Sequence, residues 1–136
     1  MYTDTFRLDN DPTWDSQGEN IVAIKMDPDY TENGALLVDF DGGTRLVIFD
    51  ADRQCCEERY LHTDDDLAQF VGATFLGLSR RSVEKKEEDY EVHEIVFIAV
   101  KTSLGHITLE THNVHNGYYG GFDISVRLET IEQKPI

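Results

Sequence analysis

The sequence predicts an α+β fold that is mainly β: a compact antiparallel sheet domain with one short helix on a face. Three observations carry that expectation. Short runs rich in Val, Ile, Leu and Phe recur along the chain, bounded by Gly, Asp and Asn. The run at 122–131 alternates, with Phe122, Ile124, Val126 and Leu128 on one side and Asp123, Ser125, Arg127 and Glu129 on the other. Only residues 64–72 carry helical spacing. With 136 residues, 40% of them hydrophobic, the chain fits a single folded domain over 1–136 rather than a disordered tract.

The elements follow in order. Residues 1–20 are polar, contain Pro12 and Gly18, and are expected as an irregular lead-in or extended arm. "IVAIKM" at 21–26 reads as a strand, and "DPDYTENG" at 27–34 as a turn built on Pro28 and Asn33-Gly34. "ALLVDF" at 35–40 and "TRLVIFD" at 44–50 form a hairpin through Asp41-Gly42-Gly43. "EERYLH" continues as a strand after the cysteines. In "DDDLAQFVG", Asp64 or Asp65 caps a two-turn helix whose stripe is Leu67, Phe70 and Val71, and Gly72 stops it. "TFLGLSRRSV" resumes an extended pattern, "EKKEED" at 84–89 is a charged loop, and two strands flank a turn at Thr102–Gly105.

Composition narrows the function classes. A net charge of −15, from 27 acidic and 12 basic residues, repels nucleic acid and anionic lipid over most of the surface. An acidic decoy needs a dense, ordered acidic face, whereas these acids are dispersed apart from 64–66 and 84–89. No apolar run is long enough to span a membrane, and the residues after Met1 lack a secretory pattern. A cytosolic chain is therefore expected. Cys55 and Cys56 are adjacent, which disfavours a bridge between them, and two thiols supply too few ligands for a structural zinc site. Both are read as reduced, structural residues.

Catalytic motifs are missing: there is no G-x-S-x-G, Walker loop, G-x-G-x-x-G or H-E-x-x-H. A nucleophilic Cys56 would need a histidine brought in by the fold. Three positions apart, His112 and His115 point to opposite faces of a strand, and His62, His93 and His106 are scattered. No enzyme, metal or cofactor is expected.

"HNVHNGYYGG" at 112–121 is the least ordinary stretch. By strand parity Thr111, Asn113 and His115 would follow Ile107 and Leu109 inward, but the strand is expected to end first. Asn116-Gly117 is a hairpin signal, yet Gly120-Gly121 asks for a second bend or a close approach. A long hairpin loop with its tyrosines packed on the sheet and a ligand site holding Tyr118 or Tyr119 against a planar group both remain open on these residues alone.

Two blocks then resemble a family. "DADRQCCEERYLHTDDDLAQFVGATFLG" resembles a "D-x-D-C-C-E-x-V-Y" block followed by a "D-L-x-x-L-x-G" helix. "FIAVKTSLGHITLETHNVHNGYYGGFDISV" resembles an "F-Y-x-x-x-T-x-x-G-x-x-T-I" strand pair ending in "S-N-G-Y-Y-S". These are features of small phage proteins that include the Thoeris anti-defence proteins, sponges for the cyclic ADP-ribose signal of bacterial TIR enzymes. The resemblance covers roughly 44–128. It departs where the family's "W-Y-G-E" is "ETHNVH" and where its serine after the second tyrosine is Gly120. It implies a non-enzymatic protein of the host cytoplasm that sequesters a cyclic ADP-ribose isomer or related cyclic nucleotide as a homodimer or higher homo-oligomer. Carried onto this chain, it implies a ligand site of Asn116, Gly117, Tyr118 and Tyr119, with phosphate contacts from Arg127, Arg80 and Arg59. The alternative is a phage β-domain acting through protein–protein contact or acidic decoy binding.

Overall fold

Alternating apolar runs and glycine turns produce nine strands among the described residues. The computed structural model describes residues 2–8, 13–53, 57–117 and 120–131. The strands are β1 (Tyr2–Arg7), β2 (Thr13–Asp27), β3 (Ala35–Phe40), β4 (Thr44–Asp50), β5 (Glu58–His62), β6 (Thr74–Glu88), β7 (Glu91–Thr102), β8 (Gly105–His115) and β9 (Ile124–Thr130). They form one open antiparallel sheet in the order β1-β9-β4-β3-β2-β6-β7-β8-β5. Strand β2 belongs to both halves: residues 21–27 pair with β3, and residues 13–20 pair with β6.

The two halves face each other across one core. Leu36, Val38, Leu46, Ile48, Ile124 and Val126 come from the first half, and Leu78, Ile98, Val100, Ile107 and Leu109 from the second. All eleven are at 0% exposure, so each contributes about 1.5–3 kcal/mol of burial. The alternation at 122–131 holds, since Ile124 and Val126 are in this core and Phe122 and Leu128 pack partly against it. The hairpins at 41–43 and 103–104 also hold, with Gly43 at φ +86.

Four expectations are corrected. Residues 64–72 do not form a two-turn helix. A 3-10 turn, Leu67–Phe70, is capped by Asp66, whose carboxylate accepts the Ala68 N–H at 3.2 Å. So short a segment gains little from helical propagation, and Gly72 and Ala73 are instead tied to Ile21 by backbone hydrogen bonds of 2.8 Å. Residues 1–20 are not an irregular lead-in among those described, because they supply β1 and the first part of β2. An edge strand such as β1 needs only backbone pairing, here with β9, and so leaves no apolar signature. The charged segment 84–89 is mostly strand: β6 runs to Glu88, paired with Glu91 across the turn at Asp89-Tyr90. Finally, β8 does not end early, and Thr111, Asn113 and His115 all continue inward and are buried. Among the described residues no helix is long and apolar enough to cross a membrane.

Candidate functional site

The last residues of β8 send polar side chains to both faces of the sheet, and the two faces use them differently. On the inner face, Arg59 and Glu94 stand opposite Asn113 on the two neighbouring strands. Asp50, at the end of β4, reaches Arg59 from the facing half. Arg59 Nη1 donates to Asp50 Oδ2 at 2.7 Å and to the Gly121 carbonyl at 3.0 Å. Its Nε and Nη2 donate to the two oxygens of Glu57 at 2.6 and 2.8 Å, and Nη2 reaches Asp52 at 3.5 Å. A guanidinium has five donors, and here each has an acceptor. The side chains of Arg59 and Asp50 are 2% and 0% exposed. Burial pulls the Arg59 guanidinium down, but the hydrogen bonds it donates to Glu57 and Asp50 outweigh that and hold it above its ordinary value. Burial pushes the Asp50 carboxyl up, against the backbone N–H of Asp123 and the Arg59 side chain, which pull it down.

The glycine bend closes over this cluster. His115 Nδ1 accepts the Gly117 N–H at 3.0 Å, so its proton sits on Nε2, which donates to Glu94 Oε1 at 2.6 Å. The same carboxylate oxygen accepts the Gly121 N–H at 3.2 Å. Asn113 Nδ2 donates to the Gly121 carbonyl at 3.3 Å. A Cβ on Gly120 would lie 2.8 Å from Glu94 Oε1. Gly121 has φ +90, a conformation that favours glycine. The second pair of glycines thus lets the backbone cross a half-buried acid and a buried imidazole. Tyr118, Tyr119, Cys55 and Cys56 lie outside the described residues.

The other residues expected in a site occupy separate places. Asn116, one residue past the end of β8, lines a shallow hollow with Tyr90, Glu91, Val114 and His115. Arg127 lies on the outer face of β9, donating to Glu129 at 2.7 Å and sitting 5.2 Å above the Phe49 ring. Arg80 is half-buried on β6 beside Ile98, and desolvation lowers its pKa.

Two adjoining clefts, of about 380 and 350 Å³, open where the 27–34 turn meets the segment after β4 and the start of β5. They share Glu32, Asn33 and Arg59; the first adds Arg53 and Glu57, the second Tyr60 and Leu61. Asn33 Nδ2 donates to the carbonyls of Asp50 and Asp52 at 2.8 Å each, fixing the turn to the cleft wall. Arg53 pairs with Glu32 at 2.8 Å, but those side chains are 75% and 66% exposed. Sequence reading placed Asn33 in a turn and did not single out Glu32 or Arg53.

On the outer face, strand register gathers histidines that look scattered in the sequence. Tyr60 stands opposite His112, and His62 opposite Glu110. His112 Nε2 lies 2.9 Å from Glu110, and its Nδ1 lies 2.8 Å from His93 Nε2. The Tyr60 ring stacks on His112 at 4.5 Å between centroids. His62 Nε2 is 2.7 Å from Asp64. Burial lowers the His112 pKa against the pull of Glu110, whereas the hydrogen bond from Asp64 raises that of His62. Ligand atoms of His62, Asp64 and Glu110 all lie within 4.8 Å of one another. The signal in the sequence is a pair of period-two motifs, H-x-D at 62–64 and E-x-H at 110–112; only their register joins them.

No curated protein and no solved structure matches the chain. Residues 16–124 match a family described as "Domain of unknown function (DUF7448)", a span that runs from within β2 through β8 and takes in both clefts and the histidine face. The chain belongs to that family.

Proposed function

We propose that the protein sequesters a cyclic ADP-ribose isomer or a related cyclic nucleotide without turning it over, and so counters a TIR-based antiphage defence in the host cytoplasm. The observation that carries this reading is the twin cleft at 32–33, 53 and 57–61, which adjoins the "CCE" block behind the resemblance. Each lobe is on the scale of a small-molecule site. Arg53 is the cation for a phosphate. Its exposed pair with Glu32 is worth only about 0–1 kcal/mol, so a more highly charged anion displaces it at little cost. A phosphate therefore displaces Glu32. The freed carboxylate and Asn33 suit ribose hydroxyls. Arg59, its donors already engaged, frames the floor.

The test is calorimetric titration of the purified protein against cyclic ADP-ribose isomers and cyclic oligonucleotides, followed by chromatography of ligand released on heating. One ligand should bind and return unchanged. Arg53→Ala should weaken it about tenfold or more, with the melting temperature unchanged. A protein-dependent breakdown product would remove the sponge reading. If Arg53→Ala binds as the wild type does while Tyr118→Ala does not, the ligand sits on the 116–121 bend. Capture of a protein partner with no nucleotide bound would favour action through protein–protein contact.

A further inference from the structure

We propose that His62, Asp64 and Glu110 form a binding site for one divalent first-row transition ion, with Zn²⁺ as the reference ion. This goes beyond the nucleotide reading and does not depend on it. An imidazole nitrogen and two carboxylate oxygens lie within 4.8 Å of one another, so side-chain shifts of roughly an ångström bring all three to ordinary zinc–ligand distances around a single cation. The imidazole selects for zinc and its neighbours in the series over Mg²⁺ and Ca²⁺, which prefer all-oxygen ligand sets. Three protein ligands leave coordination positions for water. The ion replaces the proton now shared by His62 and Asp64, and it neutralises two carboxylates held close together in a chain of net charge −15.

The frame around the ligands is built. Thr63 Oγ1 donates to the Thr108 carbonyl at 2.8 Å, and the Thr108 N–H donates to Asp65 at 2.7 Å. Those bonds fasten the residues on both sides of Asp64 to β8, the strand that carries Glu110. Behind Glu110, His112 holds the carboxylate and is itself held by His93 and the Tyr60 ring. That is an outer layer of the kind that orients metal ligands.

The experiment titrates the EDTA-treated, full-length protein with zinc sulfate, read by calorimetry and by thermal unfolding. One ion should bind per chain and raise the melting temperature, and magnesium and calcium should give no saturable shift. His62→Ala, Asp64→Asn and Glu110→Gln should each weaken binding more than about tenfold. His112→Gln, acting through Glu110, should weaken it about tenfold. His106→Ala, on the same face of β8, should leave it unchanged. Cys55→Ser with Cys56→Ser separates thiol binding. Zinc affinity lost in that variant and retained in His62→Ala would overturn the proposal. So would the absence of a saturable site at one ion per chain, or a folded His62→Ala that binds as the wild type does.

Discussion

The inner and outer faces of the β5–β8–β7 ladder use the same residue types to opposite ends. Inward, Arg59, Glu94, Asn113 and His115 are drawn into a set of bonds with Asp50, Glu57 and the backbone of Gly117 and Gly121. Outward, on the alternate positions of the same strands, His62 and Glu110 stand with Asp64 at the surface, their ligand atoms within 4.8 Å of one another. A buried charge is tolerable only when its bonding capacity is satisfied. The inner cluster is therefore architecture, and the outer one is available for binding. Which side of the sheet a residue faces decides between the two, more than its chemistry does.

The sharpest way to break the contrast is Arg59→Ala. It leaves the carboxylates of Asp50 and Glu57 buried without their counter-charge, at 0% and 3% side-chain exposure. Loss of about 3–5 kcal/mol is expected in urea unfolding, with part recovered when Asp50→Asn is added. Next is Gly120→Ala. Its Cβ meets Glu94 Oε1, which His115 and Gly121 hold in place, so about 1–3 kcal/mol should be lost. Adding Glu94→Ala should make the two changes non-additive, and a double-mutant cycle measures that coupling. Thr111→Val should have the opposite sign. The Thr111 hydroxyl is buried with no hydrogen-bond partner among the described residues, so its removal should stabilise by about 1 kcal/mol. The smallest effect belongs to the outer face. His62→Ala should shift stability by less than about 0.5 kcal/mol in EDTA. In zinc at a hundred times its dissociation constant, wild type should gain about 2.7 kcal/mol that the variant lacks.

Much of this was legible in the chain. The strand at 124–130 was visible because Phe122, Ile124, Val126 and Leu128 alternate against polar residues, and half-buried strands write that pattern directly. Leu67, Phe70 and Val71 fit a helical stripe, but Leu67 and Phe70 meet the core from a single turn as well as from two. Strand β1 was hidden because backbone pairing leaves no trace in side-chain pattern. The candidate site was less legible. The arginine at 59 stands out in a sequence, but its engagement with Asp50 depends on a contact between facing halves of the sheet. His62, His93, His106 and His112 looked dispersed because a two-residue period aligns them on one face only once β5 and β7 are laid against β8. Asn113 and His115 were expected to lie beyond the strand because Asn116-Gly117 signals a turn, yet pairing runs up to His115, and the Glu94 carboxylate and the Gly121 carbonyl give them partners inside.

The pairing of β1 with β9 alone has a consequence for biosynthesis. Segment 2–7 leaves the ribosome long before residues 124–130 exist. At about 5–20 residues per second the interval is on the order of 10 s. Through that interval β1 has no native neighbour, and the free edge of β9 has yet to be made. On a polysome, sister chains present the same unpaired strand to one another. Translation pauses late in the message would lengthen that exposure, and uninterrupted translation through β9 would shorten it. For this topology, the tempo of synthesis belongs to the folding problem.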